Sequence, residues 1–168
     1  MEFGGGGSAA TYQLRAKLVS FGDDYWIENA AGERVLRVDG KVLRVRKTLH
    51  IEDPQGTQLC RIQTRVMHIR DTMVIESPDG EEMAKVHKAL ITPLRERWKV
   101  DVADGTEMEV QGNILDHEYD LDVDGRKIAE VSKKWFRVRD TYGVQLAQGQ
   151  DVPLILAISV CVDQMARG

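Results

Sequence analysis

The chain reads as a mainly β domain, an antiparallel barrel of about 12 strands enclosing a hydrophobic C-terminal α-helix. Three observations lead there. Short alternating runs recur along the sequence, separated by turns that carry Gly. From Val152 to Val162 there is no charge, and Ser159 is the only polar side chain. A barrel of about a dozen strands also has a lumen too wide for strand side chains alone to fill, so an all-apolar helix has a place to go.

The elements follow in order. Residues 1–10, Met-Glu-Phe-Gly-Gly-Gly-Gly-Ser-Ala-Ala, read as a cloning scar and flexible linker, so the Gly run there is no phosphate loop and 11–168 is taken as a single domain. Tyr12–Val19 opens the strands. Tyr25–Asn29 turns through Ala30-Ala31-Gly32 into Arg34–Val38, and Asp39-Gly40 marks a further tight turn. Thr48–Glu52 turns through Asp53-Pro54-Gln55-Gly56 into Gln58–Gln63, and Met73–Glu76 through Pro78-Asp79-Gly80 into Glu82–His87. Arg97–Val102 turns through Asp104-Gly105 into Glu107–Gln111, and Tyr119–Val123 through Asp124-Gly125 into Lys127–Ser132. Asp-Gly between alternating runs is a strong hairpin signal, because Gly reaches positive φ without strain and Asp tolerates it. Phe136–Ala147 completes the meander.

The helix is expected over Pro153–Met165, with Asp151 as its cap and Pro153 in the first turn, where a missing N–H costs nothing. It is about 20 Å long, suited to plug a barrel but short of the about 20 apolar residues a membrane span needs. Asp163 and Gln164 are expected to mark its exit from the apolar surroundings, and Ser159 to bond back to its own backbone.

Composition bounds the function classes. A formal net charge of -4 and a pI of about 5.6 argue against a general nucleic-acid binder, which carries a basic excess. The N-terminus has no charged region followed by an apolar one, hence no secretory signal. Cys60 and Cys161 each sit in an apolar stretch without metal-like spacing, which favours buried thiols and leaves a disulfide open.

Lys134-Trp135-Phe136-Arg137-Val138-Arg139-Asp140-Thr141-Tyr142-Gly143-Val144 resembles a signature of the LURP-one-related family. The stretch Leu154–Met165 continues the match, and the Gly-turn hairpins extend it more weakly from about residue 12 to the end, pointing to a prokaryotic member. The resemblance implies a tubby-like fold, a 12-stranded antiparallel barrel wrapped around a hydrophobic C-terminal helix. The same superfamily resemblance takes in phospholipid scramblases and the phosphoinositide-binding tubby domain, and plant members are linked to pathogen defence. It implies no catalytic mechanism, and no tubby phosphoinositide motif is present to carry over.

Candidate chemistry divides into acidic and basic stripes. Asp120-Leu121-Asp122-Val123-Asp124-Gly125 matches the first half of a calcium loop, in which alternating carboxylates converge on a hard cation. The closing bidentate position then falls on Val131, with Glu130 one residue early. An outer acidic stripe of Glu118, Asp120, Asp122 and Asp124, opposite inward Tyr119, Leu121 and Val123, is the favoured reading, and a weak cation site the other. Arg44 and Arg46, Arg95, Arg97 and Lys99, and Arg137 and Arg139 alternate on single faces of predicted strands, as do Arg15 and Lys17. If those strands are adjacent they form a cationic patch for phosphate headgroups; otherwise they pair with the acidic stripes. Lys133-Lys134 beside Trp135-Phe136 suggests a membrane contact, but Trp and Phe in an alternating strand suit the core better. His50, His68, His87 and His117 show no ligand spacing.

The sequence thus predicts a non-catalytic binding module for an anionic ligand such as a phospholipid headgroup. The alternatives are a protein-interaction or structural scaffold in stress or defence responses, and an uncharacterised enzyme. No cofactor, no nucleic acid and no transmembrane segment are expected, and the protein is expected to be a monomer or weak oligomer in the cytoplasm, peripheral at the membrane.

Overall fold

Alternation gives each strand one face to bury, and the hairpin turns between them fix the register in which those faces align. The computed structural model describes residues 9–15, 25–40, 42–43, 46–67, 70–91, 96–135 and 141–166. Thirteen strands form: β1 (Ala10–Arg15), β2 (Tyr25–Asn29), β3 (Arg34–Asp39), β4 (Val42–Leu43), β5 (Arg46–Glu52), β6 (Gln58–Met67), β7 (Arg70–Glu76), β8 (Glu82–Ile91), β9 (Glu96–Val102), β10 (Glu107–Asn113), β11 (Glu118–Val123), β12 (Arg126–Ser132) and β13 (Thr141–Leu146). One helix, α1 (Val152–Ala166), follows.

From β5 to β13 each strand pairs antiparallel with the next; β13 then pairs with β1, β1 with β2, and β2 with β3. The sheet closes where β3 pairs with β5, setting Arg37, Val38 and Asp39 opposite Glu52, Ile51 and His50. The two-residue β4 pairs with Arg46–Lys47 on β5. Setting β4 aside, the barrel is a closed ring of twelve antiparallel strands.

The expected turns are present. Gly56 N–H donates to the Asp53 carbonyl at 3.0 Å, while Asp53 Oδ1 accepts from the Gln55 and Thr57 amides at 2.9 and 2.8 Å. Gly56 has φ 85, the left-handed conformation that closes such a turn with a bulge. Between β11 and β12 the turn is tighter: Asp124 (φ 51) and Gly125 (φ 76) are both left-handed, the two-residue form that matches strand twist. These turns and the start of α1 share one end of the barrel, and the C-terminus of α1 reaches the other.

Inward-facing Ile62 and Ile75 pair across β6–β7, Val86 and Val100 across β8–β9, and Leu121 and Ala129 across β11–β12. All are almost fully buried in one cluster with α1. The helix packs against β6, β7, β8 and β13, and every residue from Leu154 to Asp163 is buried. Asp151 Oδ1 accepts from the Leu154 amide at 3.2 Å, and Ser159 Oγ donates to the Ile155 carbonyl at 3.0 Å. Both agree with the sequence expectation.

Some expectations change. Asp163 does not mark an exit into solvent: it is 5% exposed, held inside by a partner that the sequence does not reveal. β1 begins at Ala10, which pairs with Leu146, so the fold starts one residue inside the segment assigned to the linker. The turn expected at Asp39-Gly40 coincides with the end of β3 at Asp39, and residues 16–19 and 136–140 of the strands expected over Tyr12–Val19 and Phe136–Ala147 lie outside the described residues.

Ile158 is fully buried at the centre of α1. Ile158→Asp is expected to abolish cooperative unfolding, because an unpaired buried charge costs several kcal/mol against a total stability of about 5–15 kcal/mol. A urea transition matching the parent protein would show that the helix is not in the lumen.

Cys60 and Cys161 are both free and buried. Burial, with the charge of Asp151 adding to it, pushes the Cys60 thiol from 9.0 up to about 12. Burial likewise raises the Cys161 thiol and, together with the charge of Asp163, the Tyr119 phenol. A group whose folded pKa is raised contributes stability that is complete below its unfolded pKa and is lost as pH rises through the folded value. The urea midpoint is therefore expected to fall as pH rises from 9.0 towards about 12. A midpoint that stays flat across that window would contradict the burial of these groups.

Candidate functional site

The end of the barrel at the C-terminus of α1 brings two chain reversals together. The first is the β10–β11 turn. The His117 amide donates to the Ile114 carbonyl at 3.1 Å, and Asn113 Nδ2 donates to Asp116 Oδ2 at 2.6 Å. Ile114 points into the core at 2% exposure, while its neighbour Leu115 is 62% exposed. His117 takes φ 54, turning the chain so that its imidazole enters the barrel. There Nε2 meets Asp163 Oδ1 of α1 at 2.5 Å, and the ring stacks on Tyr142 of β13 with centroids 4.5 Å apart.

Gly112 permits the approach of β10 to β11. It has φ 142, and a Cβ there would lie 2.5 Å from the Glu118 carbonyl oxygen and 2.7 Å from Tyr119 Cα, with no flexible side chain to give way.

The second reversal follows β12. Glu118 Oε1 accepts from Ser132 Oγ at 3.0 Å and from the Lys133 amide at 3.1 Å, and Ser132 Oγ accepts from the Lys134 amide at 3.1 Å. Glu118 thus ties the start of β11 to the Lys133–Trp135 segment. Lys133, Lys134 and Trp135 are all exposed, Trp135 at 37%. Trp135 is not a core residue as strand alternation suggested, because the chain is already turning at this point. Leu115 and Trp135 are the large hydrophobic residues exposed among those described, and both lie on this rim.

The basic residues singled out from the sequence do not make a single patch. Arg97 and Lys99 are exposed on the outer face of β9, with three strands between it and β5, which carries Arg46. Lys99 stands opposite Glu109 on one side and His87 on the other, while Arg97 stands opposite Gln111, near the rim. Arg44, Arg95, Arg137 and Arg139 lie outside the described residues, as does Lys17, and Arg46 is described in its backbone only.

The acidic stripe takes the predicted orientation: Tyr119 and Leu121 face the core, and Asp120 and Asp122 face out. Lys127 Nζ approaches Asp120 Oδ1 at 3.2 Å and Glu130 Oε2 at 3.6 Å. Burial and the charge of Asp120 raise the Asp122 carboxyl above its ordinary value. Asp124 sits in the left-handed turn beyond the strand. Among the described residues no group of three His, Cys, Asp or Glu side chains is placed to hold a metal ion.

The sequence profile of LURP-one-related proteins matches residues 10–163, from the first strand of the barrel to Asp163 at its core. The chain belongs to the LURP-one-related family. An X-ray structure of a protein from Arabidopsis thaliana is similar to this LURP-one-related domain at 15% identity with a TM-score of 0.69, covering 95% of this chain and 92% of that one. At that identity the likeness concerns the fold. Comparison with curated proteins gives no match. Among the described residues no helix is long and apolar enough to cross a membrane.

His117 is the residue that sequence spacing missed, since Asp163 is 46 positions away. His117→Leu leaves Asp163 buried without its imidazole partner and is expected to cost about 3–5 kcal/mol. The chemical-denaturation midpoint should fall accordingly, whereas an unchanged midpoint would show that the pair does not hold the turn to the helix.

Proposed function

We propose that this LURP-one-related domain is a non-catalytic module that binds an anionic phospholipid surface peripherally, with the Leu115–Trp135 rim facing the membrane. The observation that carries this reading is the joint placement of the two large exposed hydrophobics with Lys133 and Lys134 on one end of a closed barrel. Trp favours the level of the lipid headgroups, Leu the acyl boundary below it, and Lys the anionic phosphates. Glu118 fixes one reversal and the His117–Asp163 pair the other, so the contact groups stand on a rigid support. Arg97 extends the basic side of the rim. Glu109, Asp120, Asp122 and Glu130 put much of the negative charge along the barrel wall, while Asp116 and Glu118 stand at the rim itself.

Sedimentation with phosphatidylserine-containing vesicles at low salt is expected to carry the protein down, with weaker binding to neutral phosphatidylcholine and at high salt. Lys133→Glu with Lys134→Glu should weaken binding to anionic vesicles about tenfold or more, at about 1 kcal/mol per basic residue near the surface. Leu115→Ser with Trp135→Ser should weaken binding even at low salt. No sedimentation at low salt would reject the reading, and a stronger effect from Arg97→Glu with Lys99→Glu than from the rim variants would move the contact to the barrel wall.

A further inference from the structure

The opposite end of the barrel carries a cleft of about 580 Å³, where α1 enters the lumen beneath the turns that follow β7, β9 and β11. Its volume is in the range of small-molecule sites, about 300–1,000 Å³. The floor is apolar and includes Met83, Met108, Leu154 and Ile155. Methionines from two strands give it an adaptable surface, because the unbranched thioether adjusts to irregular shapes.

The mouth has the opposite character. Glu81, Glu82, Asp104 and Asp151 face it, against the single cation Arg126. Glu82 is engaged with Lys85 at 3.4 Å. Glu81, Asp104 and Asp151 have no ion-pair partner among the described residues. The Asp151 carboxylate caps α1 through the Leu154 amide, which satisfies the positive end of the helix and removes it as an attraction for anions. Asp104 accepts from the Thr106 amide at 2.8 Å, a bond that favours its charged form.

We propose that this cleft binds an amphiphilic cation, a small molecule with an apolar body for the methionine-lined floor and an ammonium head for the carboxylate mouth. The charge complementarity selects the head and the floor selects the body. Neither property depends on the rim at the other end, so this site and the lipid contact stand or fall separately.

The test is titration of the full chain, labelled at the methionine methyl carbons, with octyltrimethylammonium below its micelle concentration, and with octanoate and octanol as controls. Saturable shifts confined to Met83 and Met108, among the 6 methionines, are expected for the ammonium compound. Octanoate should bind at least tenfold more weakly. Glu81→Gln with Asp104→Asn should weaken the ammonium compound at least fivefold, leave octanol unchanged and leave vesicle binding intact. Met83→Trp should occupy the floor and abolish the shift at Met108. Equal binding of octanoate, or shifts spread over all the methionines without saturation, would overturn the proposal.

Discussion

The constraint on which the rest depends is the volume inside the ring. Pairing β3 with β5 closes twelve strands on themselves and removes all but a short length of free edge. Closure at that strand number leaves a lumen that inward side chains do not fill. Helix α1 fills it, and its composition follows from that role. A helix packed against β6, β7, β8 and β13 has no side facing water, so it carries no polar face and buries every residue from Leu154 to Asp163.

The helix also makes the two ends of the barrel different. At its start, Asp151 satisfies the Leu154 amide, and carboxylates surround an apolar cleft. At its end, Asp163 binds His117, whose ring also stacks on Tyr142, so helix, turn and β13 are joined at one place. The turn held there presents Leu115, and Glu118 joins it to the segment that presents Trp135. The proposed lipid contact and the proposed site for cationic amphiphiles are thus separated by the length of the plug, each with its own charge and its own apolar surface.

Much of the architecture was legible because it is written in short-range pattern. Period-two alternation marked the strands, Gly and Asp-Gly marked the turns, and the uncharged run marked the helix with its cap at Asp151 and its back-bonded Ser159. The candidate sites were less legible. The basic residues alternate as cleanly as the acidic ones, but neighbours across a sheet are set by topology, which puts Lys99 between Glu109 and His87 and keeps β9 away from β5. Trp135 departs from the core reading because β12 ends at Ser132 and the chain turns through Lys134 and Trp135, so strand alternation does not apply to it.

The sequence by itself determined the fold class, the order of the hairpins, and the need for an apolar helix inside, since each rests on spacings of a few residues. The tertiary structure alone decided which strands are neighbours, that Asp163 stays buried because His117 meets it from 46 positions away, and that Leu115 and Trp135 share a rim. The physical reason is that closure of the ring sets these contacts, and they join residues whose spacing in the chain carries no periodic signal.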